Sequence, residues 1–340
     1  MQLTEKIYKT LFEEILEGKY SPGSRIPTEF ETAARFKASR VTVRRAYAIL
    51  EQAGIIIRKP RCGTVVSENF SGSTEPIRII AAVMPLNDDF AREFLHTLCK
   101  EAAKENILIA VEPDSGSGPE LTQNVIRLVS SGIRNMIFWP ADSDCDSNLF
   151  SRLRVLGVNM VFFDRIRPVN KFADYVALDN RAAINTLFSE AVAAGCRNFV
   201  FGGAGNLQFD SNQDRRKVFM EECRKRGFVP ETMEFPADAV LFEEEKQHLQ
   251  EKLLSRNSLT ALICVNDTIA LQAAKLIPEN YRIFSIDGTP EALRKGIISY
   301  AQPMSAMAEK CLDLLKRQQK LGKDWTAGEY HLKGELQTKC

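Results

Sequence analysis

Several polar side chains in this chain stand where they could bind a small molecule. Asp164 is followed by Arg165, Asn266 by Asp267 and Asp287 by Gly288, each at the end of an apolar, strand-like run. Trp139 closes the run "NMIFWP", and "GGAGN" from Gly202 closes another. Carboxylates accept hydrogen bonds from neighbouring hydroxyls and a guanidinium donates them. Flat rings cover an apolar face. Together these types suit a small ligand rich in hydroxyls. An Asp after a strand can also simply cap the next helix, and for any one of these Asp residues that role is as good a reading. The set as a whole favours a ligand.

A second concentration is cationic. Residues 1–70 hold 12 Lys+Arg against 8 Asp+Glu, a net of +4, on a chain whose formal net charge is only +1. Arg35 to Arg61 contains eight of these cations and one acid, Glu51. In "SRVTVRRAYAILEQAG", Ser39 to Gly54, helical spacing puts Val43, Ala46, Leu50 and Ala53 on one face. Val41, Arg44, Arg45 and Ala48 point the other way, with Arg40 at the N-terminal end. Short side chains between arginines let a helix enter the major groove of B-DNA, where Arg can bond guanine edges. The helix N-terminus favours a phosphate oxygen. The plain alternative is a solvated basic face.

These residues need elements to hold them. Ile7, Leu11 and Ile15 recur four apart and predict a first helix ending at Gly18. Thr28 and Glu31 have capping-box spacing and predict a second helix from about Glu29. Ser39 is the expected N-cap of the third, and "IIIRKPRCGTVV" reads as two short strands around a Lys-Pro-Arg-Cys-Gly tip. Helix, helix, turn, basic helix and basic hairpin is the order of a winged helix-turn-helix. "SENFSGSTEP", Ser67 to Pro76, reads as a linker. Beyond it, near-continuous apolar strands alternate with helices expected at 89–105, 120–131, 181–194, 212–226, 242–255 and 268–276. That pattern predicts parallel sheet covered on both faces, in two lobes. In such sheets ligands bind beyond the carboxyl ends of the strands, where the polar set lies.

Other chemistries find little support. No strand is followed by GxGxxG or GxxxxGK[ST], no GxSxG elbow is present, and no nucleophile–base pairing stands out. The three histidines (96, 248, 331) have no ligand spacing, so no metal and no cofactor is expected. Eight scattered cysteines without a CxxC pair, such as Cys264 in "ALICVND", read as reduced, mostly buried thiols of a cytoplasmic protein. No apolar run is long enough to span a bilayer, and no signal peptide is evident.

The segment "SPGSRIPTEFETAARFKASRVTVRRAYAILEQAGIIIRKPRCGTVV" resembles the DNA-binding domain of GntR-type bacterial transcription regulators. The resemblance implies DNA contacts from Ser39, Arg40, Thr42 and Arg44, with Arg45 beside them and Arg61, Gly63 and Thr64 at the wing. Two departures stand out. The family commonly has a polar or basic residue where Phe30 stands, so one DNA contact is expected to be missing. The wing commonly reads Gly-x-Gly-Thr, and Arg61 replaces the first glycine. A left-handed backbone is therefore disfavoured at 61, while the added charge could enter the minor groove.

The remainder resembles LacI-type effector domains and periplasmic sugar-binding proteins. The carrying segments are "AVMPLNDDFAREFLHTLCKEAAKENILIAV", "VALDNRAAINTLFSEAVAAGCRNFVF", "ALICVNDTIALQAA" and "FSIDGTPEAL…AQPMSAMAEKCLDLL". The resemblance implies a pocket lined by Phe90, Trp139, Asp164, Arg165, Arg215, Asp267 and Asp287, with Gln302 at the hinge or in the pocket. Arg215 precedes Phe219 by four, as the family places its ligand-binding arginine, although Val218 replaces the usual glycine. The expected fold is an N-terminal winged helix-turn-helix plus a two-lobed α/β periplasmic-binding-protein-like domain with parallel sheets. The expected bounds are head 1–68, linker 69–76 and effector domain 77–338, with lobe 1 at about 77–165 plus 300–323 and lobe 2 at about 176–297. The expected function is a non-enzymatic transcription regulator, more often a repressor. It would bind a palindromic double-stranded DNA operator as a homodimer, with a carbohydrate or related effector between two lobes and no membrane partner. An enzyme domain fused to a DNA-binding head, or an architectural DNA binder whose second domain only dimerises, are the competing classes.

Overall fold

A computed structural model describes residues 3–67, 74–116, 118–141, 147–168, 171–205, 209–236, 258–276 and 280–338. The helix expected at 242–255 and most of the linker expected at 69–76 lie outside these residues.

The head begins with α1 (Leu3–Leu16), which buries Ile7, Leu11, Phe12 and Ile15. Gly18 follows with φ 83°. Helix α2 (Glu29–Phe36) opens on a complete capping box. The Thr28 hydroxyl accepts from the Glu31 N–H at 3.2 Å, and the Glu31 carboxylate accepts from the Thr28 N–H at 2.7 Å. Helix α3 (Arg40–Gln52) is capped by Ser39, whose hydroxyl accepts from the Thr42 N–H at 3.1 Å. It turns Val43, Ala46, Tyr47 and Leu50 inward and packs against α1 and α2. Strands β1 (Ile56–Lys59) and β2 (Gly63–Val66) pair antiparallel, Lys59 opposite Gly63, and form the wing. Glu14, nearly buried on α1, ties this bundle to Arg35 of α2 through two bonds of 2.8 and 2.6 Å, and accepts from Lys19 at 2.5 Å.

Two six-stranded sheets follow. The first has the order β13-β7-β6-β5-β3-β4. Its strands are β3 (Ile79–Met84), β4 (Leu108–Pro113), β5 (Asn135–Phe138), β6 (Asn159–Phe163), β7 (Asp174–Leu178) and β13 (Glu329–Leu332). Strands β4, β3, β5 and β6 run parallel. The second has the order β14-β12-β11-β10-β8-β9. Its strands are β8 (Asn198–Ala204), β9 (Pro230–Phe235), β10 (Thr260–Cys264), β11 (Tyr281–Asp287), β12 (Ile298–Ala301) and β14 (Glu335–Gln337). All its neighbours are parallel except β14, which closes one edge antiparallel to β12. Helices α4 (Asp89–Lys104), α5 (Gly118–Ser130), α6 (Ser147–Val155), α7 (Asn180–Ala193) and α8 (Asp210–Lys225) are among those connecting the strands. Strands β5, β6, β7 and β10 are buried throughout, as strands covered on both faces must be.

The chain divides into two compact units. One comprises Met1–Phe163, Arg167–Tyr175 and Ala308–Glu329; the other comprises Asp164–Ile166, Val176–Met307 and Tyr330–Cys340. The head thus shares a unit with the first sheet. Arginines of that sheet's layer reach the ends of head helices: Arg152 donates to the carbonyl of Leu16 and Arg134 to that of Ala53. The Tyr8 hydroxyl bonds Ser130. These carbonyls stand at helix C-termini, which lack partners within the helix and favour cations. Strand β12 belongs to the second sheet through its parallel pairing with β11, so residues 300 and 301 lie there and not in lobe 1 as the sequence suggests.

Candidate functional site

The basic face of the head is presented by α3 and the wing. Arg40, Arg44, Arg45, Arg58 and Arg61 are all exposed. Arg44 donates from Nε to Glu29 at 3.2 Å, and Arg58 reaches the other oxygen of Glu29 at 3.3 Å. Arg40, Arg45 and Arg61 make no ion pair among the described residues and stay open to a phosphate or base edge. The Ser39 and Thr42 hydroxyls bond each other at 2.8 Å, so both sit together at the N-terminus of α3. Gly63 and Thr64 open β2, one residue beyond the tip. The wing corrects one expectation: Arg61 is left-handed, with φ 62°. Lys59 pairs with Gly63, so three residues must reverse the chain, and the Cys62 N–H closes the turn on the Lys59 carbonyl at 3.1 Å. That turn imposes the left-handed backbone despite its cost for a side chain of about 1–2 kcal/mol.

The second unit gathers most of the polar set. Asp164 ends the run of β6 with φ 57° and accepts from the Ser211 hydroxyl at 3.4 Å. Arg215, on the buried side of α8, donates to Asn180 at 2.8 Å and to the Val265 carbonyl at 2.9 Å. Its Nη2 stands 3.8 Å from Asp164. Asp287 ends β11 with φ 128°, in a region that side chains rarely occupy. Its carboxylate accepts from Gln302 at 2.9 Å and from the Asp267 N–H at 3.4 Å. Burial and the neighbouring Asp267 carboxylate push the Asp287 carboxyl well above the ordinary range, against the pull of Arg215. Gly288 then has φ 79°, and a Cβ there would stand 2.5 Å from that of Ala301, so only glycine lets the Asp287 turn lie this close to β12.

Asp267 differs from its two partners. One of its oxygens accepts from the hydroxyls of Ser285 and of Ser299, the latter at 2.7 Å, and the other accepts from the Thr289 N–H at 2.6 Å. Asn266 caps the helix Asp267–Ala273 by accepting from the Ile269 N–H at 2.9 Å. Arg165 lies over the ring of Phe209 at 4.4 Å. Nη2 of Arg215 and Oε1 of Gln302 are both buried without a hydrogen-bond partner among the described residues. Sequence reading missed Asn180, Phe209, Ser211, Ser285 and Ser299. Only Asn180, beside Asp179 at a strand end, carried any signal.

The first unit holds the aromatic part. Phe90 follows the N-cap Asp88 in the first turn of α4, and Trp139 follows β5 directly. Their ring centroids are 5.5 Å apart. Phe163, the last residue of β6, stacks on Phe90 at 6.1 Å and on Phe94 at 3.7 Å. The sequence named Phe90 and Trp139 but not Phe94 or Phe163.

Comparison with known proteins finds two matches along the chain. Residues 3–66 match the bacterial regulatory proteins of the gntR family, and residues 188–329 match a periplasmic binding protein-like domain. An uncharacterized HTH-type transcriptional regulator of Mycobacterium tuberculosis is 35% identical over 94 residues, which are 28% of this chain and only 38% of that relative's length. A second HTH-type transcriptional regulator from the same organism is 25% identical over 336 residues, covering 85% of this chain and 90% of the relative. The arabinose metabolism transcriptional repressor of Geobacillus stearothermophilus is 24% identical over 274 residues, covering 77% of this chain and 74% of the relative. Among solved structures, the trehalose repressor from Escherichia coli has the same fold with a TM-score of 0.64 at 15% identity, covering 76% of this chain and 99% of that one. The chain therefore joins a GntR-type helix-turn-helix to a periplasmic-binding-protein-like domain, the architecture of a transcriptional regulator.

Proposed function

We propose that this transcriptional regulator represses its target by binding a palindromic operator as a homodimer, and that it responds to a sugar or sugar derivative. One observation carries the effector reading. Asp164, Arg215, Asp287 and Gln302 form one interacting polar group in which Arg215 Nη2 and Gln302 Oε1 are buried without hydrogen bonds among the described residues. Unsatisfied buried polar atoms are costly, and a bound hydroxylated ligand satisfies them. Asp287 and Asp164 accept from ligand hydroxyls, and Arg215 and Gln302 bond ring or hydroxyl oxygens. Asp267, with its oxygens already engaged, holds Ser285, Ser299 and Thr289 in place and so positions Asp287. The names of the arabinose and trehalose repressors support a carbohydrate.

For DNA, Arg40, Arg44 and Arg45 serve the major groove, Ser39 and Thr42 the phosphate at the N-terminus of α3, and Arg61, Gly63 and Thr64 the wing contact. Two heads of a dimer address half-sites about one helical turn apart. The test is a thermal-shift screen of the full chain against monosaccharides, sugar acids, polyols and nucleosides. A ligand bound only to the folded state adds about 2.7 kcal/mol at a hundredfold excess over its Kd. A shift confined to sugars or polyols supports the reading; a shift only with nucleosides contradicts it.

A further inference from the structure

We propose that Phe30 and Val41 read the methyl groups of thymines in the operator's major groove. The inference rests on the DNA-binding role of the head. Phe30 is 71% exposed and Val41 60% exposed, large apolar side chains standing in water. Val41 is on the helix that carries Arg40, Arg44 and Arg45, and Phe30 is on the helix whose Glu29 bonds Arg44. Each is the second residue of its helix, Phe30 on α2 and Val41 on α3. Glu29, next to Phe30, holds Arg44 at 3.2 Å, and Arg44 lies one turn beyond Val41 on the same face of α3. The ion pair therefore fixes the start of α2 beside the face of α3 that bears Val41.

Both side chains sit on rigid supports. The capping box of Thr28 and Glu31 fixes the start of α2, and Ser39 fixes that of α3. Neither side chain can bond a phosphate or a base edge. The apolar feature of the major groove is the thymine C5 methyl group. The cations around them complement a polyanion, which selects DNA over an apolar protein surface as the occupant. Phe30 thus does not leave a contact missing; it exchanges a polar contact for one with a base methyl.

The test first selects operator duplexes from a randomised pool with the full-length protein. Each thymine of the selected half-site is then replaced by deoxyuridine, which removes only the methyl group. Burying one such carbon is expected to change affinity about fourfold. At one or two thymines of each half-site the wild type loses about that factor. Phe30→Ala becomes insensitive to the change at one of them and Val41→Ala at another, while each keeps its sensitivity elsewhere. Both positions are exposed, so the variants should fold, and unchanged melting curves check this. Deoxyuridine operators that bind as tightly as the thymine forms overturn the inference, as do alanine variants that remain fully methyl-sensitive. A pool in which no sequence is enriched contradicts the DNA-binding reading itself.

Discussion

Arg215 and Asp164 stand 3.8 Å apart between Nη2 and Oδ1, both almost wholly buried, an ion-pair distance that leaves room for a ligand atom to bond both. Arg215→Ala should remove any ligand-induced thermal shift. It should also destabilise the chain by about 3 kcal/mol, because Asp164 loses its cation and Asn180 its donor. Arg215→Lys keeps a charge but not the fork to Asn180 and the Val265 carbonyl, and should recover stability better than ligand response. Thermal unfolding with and without effector measures both, and a full response in Arg215→Lys would remove the guanidinium from the ligand.

Asp287→Asn should uncouple stability from ligand binding. Burial and Asp267 raise the Asp287 carboxyl, so the folded state keeps its proton to higher pH than the unfolded state. Its contribution is complete below the ordinary carboxylate range and is lost as pH rises through the folded value. Asn carries no charge and matches Asp in size and shape, so it adds no backbone strain beyond that of the wild type. The variant should therefore be at least as stable as the wild type at pH 7 and show a flatter fall in melting temperature between pH 4 and 8, yet lose effector binding. Parallel melting profiles would contradict this account.

Glu14 behaves with the opposite sign. Bonding to Arg35, with Lys19 helping, holds its carboxyl below the ordinary range. That stability is present above the unfolded carboxylate value and is lost as pH falls through the folded one. Because the Arg35 side chain is 40% exposed, solvent screens part of the pair. Glu14→Gln should cost about 1 kcal/mol at pH 7 and much less at pH 3, read from denaturant unfolding. An equal cost at both values would mean that Glu14 acts through packing.

Arg44→Ala should weaken operator binding by about 1–3 kcal/mol, the value of a specific base contact, while effector binding stays unchanged. Arg44 is exposed and its pair with Glu29 is a surface one, so melting should move little. Equal operator affinity would place Arg44 outside the interface.

Much of this was legible in the sequence because local rules and tertiary demands agree. The capping box at Thr28 and Glu31, the Ser39 cap and the inward face of α3 follow from residue spacing and appear as expected. Strand β9 escaped notice because "PETMEF" is an edge strand whose apolar alternation is only Met233 and Phe235, behind Pro, Glu and Thr. The strand-end rule drew attention to Trp139, Asp164, Asp267 and Asp287. It could not separate Asp287 from Asp267, since the donors that engage Asp267 come from Ser285, Ser299 and Thr289, distant in sequence and ordinary in type. Arg61 went the other way: its residue type argued against a left-handed backbone, and the length of the hairpin tip overrode it.

The most direct test of the central claim is the affinity for a selected operator duplex, titrated with and without the effector found by thermal shift, together with the effector affinity measured with and without operator. Coupled sites must change each other's affinity by one common factor, typically about 5–150-fold. The account predicts that factor, equal in both titrations and in the direction that releases DNA. An effector that binds tightly while leaving operator affinity unchanged would contradict it.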